Sequence, residues 1–448
     1  MNLKIKLQNR KLKTIIFFNL LLFIFSFSSR IYAAEELNIY SNDVIAIDAE
    51  SGNILYNKNG TSKVYPASTT KILTAIIAIE HLNLDDSITC SKNAIYSTPF
   101  ESSSMYLRVG EVVTVRELLY GLLLQSGNDA ANVLAEAVSG NIDDFVKLMN
   151  EKLKEIGCTQ TNFVNTHGFH DKNHYTTPYD MAKIMQYSIK NKTFKEFIET
   201  KSTEIKETNK TPEIRYYSNT NKLISSKSEY YYDYCLGGKT GYTEEARGTF
   251  VGYGEKDGKK VIVATFDASQ NISGKQGRFL DSITLFNYCF SNYDKNVVVK
   301  KDDFKFTIKD EKNSKIYTIS LPNDVYALYK KSELNTKYTF NLLNNINFDN
   351  IKEGSEIGTL EINSSNTISN INTTSSVICS KITNYTDYSK LLFSIGKILI
   401  ILLLSISLLY LLFCYFRKIK NRNREYNKNI YYNMNRTLNK RSKRINKF

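Results

Sequence analysis

The chain has 448 residues, 42% hydrophobic and 23% charged, which is too long for one ordinary core. Its formal charge of +14 sits at the ends: residues 1–34 hold six Lys or Arg and no acid, and residues 417–448 hold twelve with a single acid, Glu425. The remainder carries −3, which excludes the basic face of a nucleic-acid binder.

Residues 1–34 read as a secretory signal, with a basic start, an apolar stretch at 15–27 and small residues at Ala33-Ala34. Residues 44–47 and 54–56 predict a hairpin about Ser51-Gly52-Asn53. Pro66 then opens a helix whose buried side is marked by Ile72, Leu73, Ala75, Ile76 and Ile79. Helical spacing recurs over 115–124, 132–138 and 145–156. Residues 248–253 and 261–266 predict strands about Lys256-Asp257-Gly258. Strands at both ends of a region, with helices between, predict an α+β fold in which one sheet is closed by its two termini.

Beyond residue 297 the texture changes. Alternating runs such as 304–308 and 317–321 predict a small all-β domain at 298–366. The Ser-, Thr- and Asn-rich stretch that follows predicts a linker over 367–397. Residues 398–416 carry no charge and make a helix about 28 Å long, enough to span a membrane. The basic tail, 417–448, starts at once with Arg417, Lys418 and Lys420 and predicts a cytoplasmic C-terminus. A cleaved signal and one stop-transfer helix place residues 35–397 outside the cytoplasm. The tail then serves as a topology anchor, or contacts anionic lipid or a partner.

Of six cysteines, Cys414 lies in the apolar run. Cys90, Cys158, Cys235, Cys289 and Cys379 are odd in number and lack pair or metal spacing, so they read as isolated buried thiols.

Three short motifs carry chemistry. Ser68 and Lys71, three apart on the predicted helix, leave the same face. A lysine held neutral there can take the serine's proton and make it a nucleophile. The spacing alone is weak, since Ser394 and Lys397 share it at the edge of the apolar run. Ser126-Gly127-Asn128 is one of three such triplets; those at Ser51 and Ser139 read as a turn and a helix end. Only Ser126 falls in a break between apolar helices, where it would face a cleft. Lys239-Thr240-Gly241 occurs once. Gly241 lets a ligand lie along the backbone, and Lys239 and Thr240 suit an anionic group.

In this order the three motifs resemble those of serine β-lactamases and penicillin-binding proteins. The chain resembles the low-molecular-mass D-alanyl-D-alanine carboxypeptidases of the penicillin-binding protein 5 type. The resemblance extends over residues 36–297 and includes Ser104-Met105-Tyr106-Leu107-Arg108-Val109-Gly110-Glu111, Asn165-Thr166-His167-Gly168-Phe169 and His174-Tyr175-Thr176-Thr177. It implies the transpeptidase fold, an antiparallel sheet flanked by helices, as the catalytic domain at 35–297, and the small β domain fits the family's C-terminal domain.

For function the resemblance implies a serine carboxypeptidase that removes the terminal D-alanine from peptidoglycan pentapeptides and is acylated by β-lactams. Ser68 would be the nucleophile, Lys71 its base and Ser126 the relay to the leaving amine. Asn128 would orient Lys71 and the substrate amide. Lys239 and Thr240, on the strand of Gly241, would bind the terminal carboxylate, with Arg278 of Gly277-Arg278-Phe279 nearby. The N–H groups of Ser68 and Tyr242 would form the oxyanion hole. No metal or organic cofactor is implied, and His167, His170 and His174 are expected to make structural hydrogen bonds.

Departures from the family pattern are Phe100-Glu101-Ser102-Ser103, where many relatives have glycines, Tyr242 after the Lys-Thr-Gly, and a spanning helix in place of an amphipathic anchor. The competing readings are a serine β-lactamase and a catalytically silent scaffold that binds wall peptide.

Overall fold

The computed structural model describes residues 37–445 apart from 269–273, 311–312, 331–334, 344–345, 366–369 and 385–387. The signal segment expected at 1–34 lies outside the described residues.

Strands β1 (Asp43–Asp48) and β2 (Ile54–Lys58) form the first hairpin, turned by Gly52 at φ +76°. A 3-10 turn (Ala67–Thr70) leads into α1 (Lys71–His81). A run of short strands and helices follows: β3 (Ser87–Thr89), α2 (Lys92–Tyr96), β4 (Val112–Thr114), α3 (Val115–Leu123), α4 (Asn128–Ser139), α5 (Ile142–Ile156), α6 (Pro178–Ser188) and α7 (Lys192–Glu199). A second hairpin joins β5 (Ser202–Ile205) to β6 (Arg215–Ser218). The chain then returns as β7 (Cys235–Thr243), β8 (Arg247–Lys256) and β9 (Lys259–Ala268), and α8 (Gly277–Asn292) follows. The main sheet is antiparallel, in the order β2-β1-β9-β8-β7. As expected, the first and last strands of the region meet: Ile45 pairs with Ala264 across β1 and β9.

Alternation along the strands explains how both faces are covered. Ile45 and Ile47 of β1, with Ile262, Ala264 and Phe266 of β9, join the core shared with α1, α3, α4 and α6. Val44, Ala46, Val261 and Val263 point the other way, into a second core with Phe279, Leu285, Phe286 and Cys289 of α8. A strand buried on both faces reads as an unbroken apolar run, as Val44-Ile45-Ala46-Ile47 does.

Helix α1 is buried along its first eight residues, Lys71 to Ala78. Its neighbours carry their own stop and start signals. Thr114 and Glu117 form a capping box before α3, Thr177 caps α6 with Pro178 behind it, and Gly140 ends α4 at φ +78°.

The described chain divides into two units. The first takes the residues up to Lys305 with Ser320–Ile346 and Glu356–Ile378; the second takes Phe306–Ile319, Asn347–Ser355 and residues from Cys379 on. In the first unit β10 (Asp294–Val299) pairs with β13 (Val325–Tyr329), and Leu328 N–H donates to Asp48 Oδ2 at 3.0 Å. β14 (Asn335–Leu342) and β15 (Glu356–Ser365) are antiparallel, and β15 also pairs with β16 (Asn370–Asn384). The second unit holds β11 (Lys305–Asp310) from Phe306, β12 (Lys315–Ser320) up to Ile319, and α9 (Tyr388–Ile445).

Two expectations need correction. The linker predicted at 367–397 is instead mostly β16 and the start of α9. The polar Ser/Thr/Asn composition concealed β-branched residues, Ile371, Thr373, Thr374, Val377 and Ile378, which suit a pleated strand. Ser68 also lies just before the α-helix, on the 3-10 turn. There the Thr69 and Thr70 hydroxyls bond back to the carbonyls of Pro66 and Ala67.

Helix α9 is long and apolar enough to cross a membrane, at a mean hydropathy of 2.8 in its most apolar stretch. Cys90, Cys158, Cys235, Cys289 and Cys379 are buried free thiols.

Candidate active site

The nucleophile turn is wedged between the helices and the edge strand β7. Thr249 of β8 donates to the Pro66 carbonyl at 3.1 Å. A Cβ added to Gly241 would meet the Ser68 nitrogen at 2.8 Å, so strand and turn approach as closely as glycine allows. Lys71, one turn after Ser68, is wholly buried. Its amine lies 3.0 Å from Ser68 Oγ, 2.6 Å from Asn128 Oδ1 and 2.7 Å from the His167 carbonyl.

These three contacts determine what the amine can do. Burial, and then the charge of Lys239, push its pKa well below the ordinary lysine value, against the weaker pull of Asp129. A neutral amine has two hydrogens and one lone pair. In that neutral form Asn128 Oδ1 and the His167 carbonyl would accept the two hydrogens, leaving the lone pair for the Ser68 hydroxyl.

The second motif reaches the same point from another direction. Asn128 opens α4, and its N–H donates to Ser103 O at 2.8 Å. Asp129 accepts from Met105 N, Leu107 N and the Ser104 hydroxyl at 2.6–3.0 Å, tying the 103–107 loop to α4. Ser126 sits in the break between α3 and α4 at φ +66°. Its buried hydroxyl has no hydrogen-bond partner among the described residues, which keeps it available for an incoming group.

The third motif lies on β7. Lys239 is fully buried, and burial together with Arg278 lowers its pKa to about 7. Its amine donates to the Thr240 carbonyl at 3.0 Å, and the Thr240 hydroxyl donates to Thr220 at 2.7 Å. Arg278, at the start of α8, donates to the Gly241 carbonyl and to Gln276 Oε1, both at 2.7 Å. Ser68, Asn128 and Tyr242 share one cleft of about 510 Å³ with Glu101, Ser102, Ser103, Gly168, Phe169, His170 and Thr243 to Glu245.

Comparison with known proteins identifies the family. The D-alanyl-D-alanine carboxypeptidase family, peptidase family S11, matches residues 30–270. The chain belongs to this family. It is 31% identical to the D-alanyl-D-alanine carboxypeptidase DacF of Bacillus subtilis, over 72% of this chain and 82% of that one. It is 34% identical to a D-alanyl-D-alanine carboxypeptidase of a Streptomyces species, over 55% of this chain and 86% of that one. The crystal structure of the D-alanyl-D-alanine carboxypeptidase DacD from Francisella tularensis superposes with a TM-score of 0.55 at 25% identity, covering 79% of this chain and 95% of that one.

Several contributors to this S11 site had no readable signal in the sequence. The His167 carbonyl is a backbone atom, and no side-chain pattern announces it. Asp129 directly follows the Ser-Gly-Asn triplet, yet its service to the 103–107 loop depends on tertiary contact. Thr70, Thr220 and Thr249 are ordinary threonines until the fold brings them beside the motifs. His174 makes two hydrogen bonds: its Nε2 lies 2.8 Å from Thr70 Oγ1, and its Nδ1 accepts from Val164 N–H at 3.1 Å. His167 Nδ1 accepts from Phe169 N–H at 3.1 Å.

Proposed function

We propose that this serine D-alanyl-D-alanine carboxypeptidase works through Ser68 as nucleophile and Lys71 as its base. The observation that carries the assignment is the buried amine within hydrogen-bond distance of two carbonyl oxygens, with Ser68 Oγ at 3.0 Å. Ser68 Oγ attacks the carbonyl carbon of the penultimate D-alanine while its proton passes to Lys71. The charge that develops on the substrate oxygen meets the N–H groups of Ser68 and Tyr242, each such donor contributing about 3 kcal/mol in the transition state. The C–N bond then breaks. The Ser126 hydroxyl hands a proton to the departing D-alanine amine and is resupplied by Lys71. The ester on Ser68 is cleaved by water, which restores the hydroxyl and releases the shortened peptide.

Lys239 and the Thr240 hydroxyl hold the substrate's terminal carboxylate, and Asn128 orients its amide. Arg278 acts on the same anion through its charge, from a side chain held by the Gly241 carbonyl and Gln276. A pentapeptide ending in D-Ala-D-Ala is the substrate. β-Lactams, which present a carbonyl and a carboxylate in the same relation, acylate Ser68.

The membrane reading follows from α9. Its apolar stretch spans the bilayer once, residues 417–448 face the cytoplasm by the positive-inside tendency, and the catalytic region lies outside. The catalytic region retains the proposed extent 35–297, and the β-rich region proposed at 298–366 is extended by β16, which pairs with β15. Incubation of the full-length protein with a fluorescent penicillin, followed by peptide mapping, tests the assignment. The label should be found on Ser68, and D-alanine should be released from a pentapeptide. An unlabelled Ser68, or rapid turnover of a chromogenic β-lactam, would overturn it. Protease digestion of intact cells should leave only the tail protected.

A further inference from the structure

We infer that Thr70 and His174 are positioning residues for the oxyanion hole, holding the peptide plane that carries the Ser68 N–H. The inference rests on the reading above, in which that N–H meets the developing negative charge.

Ala67, immediately before the nucleophile, has φ +49°. A residue with a Cβ adopts this left-handed conformation only when its surroundings support it. The support is a directed chain of hydrogen bonds. Val164 N–H donates to His174 Nδ1 at 3.1 Å, so this nitrogen is an acceptor and the neutral ring carries its hydrogen on Nε2. Nε2 lies 2.8 Å from Thr70 Oγ1, which accepts its hydrogen. The threonine's own hydrogen is thereby directed to the Ala67 carbonyl, 2.9 Å away. The His174 ring is stacked on Phe163 at 4.6 Å with 6° between planes. Burial keeps the ring neutral down to about pH 3, so the direction of the chain does not reverse over the working range.

The carbonyl is held from a second side too. A Cβ on Gly168 would stand 1.8 Å from Ala67 O, so only glycine lets the 165–169 loop close against it. A trans peptide is planar, with its C=O and N–H pointing in opposite directions. Fixing the Ala67 carbonyl therefore fixes the Ser68 N–H, on the side where Gly241 of β7 approaches the Ser68 nitrogen. Lys71 is held by Ser68, Asn128 and His167, and its network shares no bond with the His174–Thr70–Ala67 chain. One network prepares the base, and the other prepares the donor.

The test uses the full-length protein in detergent and measures the dissociation constant and the acylation rate for a fluorescent penicillin separately. Thr70→Val keeps the shape and removes the hydroxyl; acylation should slow about 10- to 100-fold, the loss that a slightly misplaced group produces. The dissociation constant should stay within about twofold and the pH profile of acylation should not move, on the same reasoning. Thr70→Ser should restore the rate, and His174→Ala should lower it in the same direction. A peptide boronic acid, whose tetrahedral adduct places an oxygen in the hole, should weaken in proportion to the acylation rate. Wild-type rates in both Thr70→Val and His174→Ala would overturn the inference. So would a pH profile that shifts with the rate, because the residues would then act on Lys71. Should Thr70→Val fail to fold, His174→Ala decides by the same two readouts. An unlabelled Ser68 in the wild type would instead sink the parent assignment.

Discussion

The Lys71 amine lies 3.0 Å from the Ser68 hydroxyl, and its other two bonds go to carbonyl oxygens. Lys71→Met keeps the apolar stem and removes the proposed base. General-base loss of this kind lowers rate by about 10²–10⁴. Penicillin acylation of Ser68 should fall by that factor while the fold, followed by circular dichroism, is kept. Equal labelling of the variant and the wild type would show that another group takes the proton.

Lys239 makes stability depend on pH in a defined direction. Its folded-state pKa is lowered to about 7 by burial and Arg278, whereas the unfolded chain titrates near 10.5. Below pH 7 both states hold the proton, and the cost of a buried charge is fully present. Between pH 7 and 10.5 the unfolded state binds more protons, so stability climbs with pH, by at most about 1.4 kcal/mol per unit from this group. Lys71 contributes in the same direction. Urea midpoints from pH 7 to 9.5 should therefore rise more steeply in the wild type than in Lys239→Leu. Parallel curves would contradict the lowered pKa.

Gly168 is held at φ +87° against the Ala67 carbonyl. Gly168→Ala forces a left-handed alanine, costing about 1–3 kcal/mol from the dihedral alone. It also drives its Cβ into backbone. Both the urea midpoint and the acylation rate should drop. A variant of unchanged stability would mean the turn can move aside.

Glu111 is fully buried, and Arg215 Nη2 meets it at 2.8 Å. Thr208 and the Arg108 N–H supply further donors. Arg215→Ala leaves the carboxylate buried without its counter-ion, and such losses cost about 3–5 kcal/mol. Chemical denaturation should show a loss of that order, whereas the exposed pair Lys147–Asp144 should be almost silent when cut.

Much of this was legible because it is local. Ser68 and Lys71 sit one turn apart, so their spacing is written into the chain. The β1–β2 hairpin follows from alternation and a Gly turn, and α9 follows from an uncharged run. Arg278 was legible only as a resemblance, since nothing around it marks a neighbour of β7. The 367–397 segment was misread because Ser and Thr serve linkers and strands equally, and the choice depends on whether a partner strand is present. His174 read as structural, and one of its hydrogen-bond partners, Thr70, is 104 residues away.

The order of residues alone determined the reactive groups: a hydroxyl and an amine at helical spacing, a polar triplet between apolar helices, and a glycine beside a lysine on a strand. Tertiary structure alone decided that these groups meet, that the amine's hold on its proton is weakened, and which way the Ser68 peptide points. The reason is physical. A proton's affinity for nitrogen depends on burial and on charges brought near by folding, here from a strand some 170 residues along the chain.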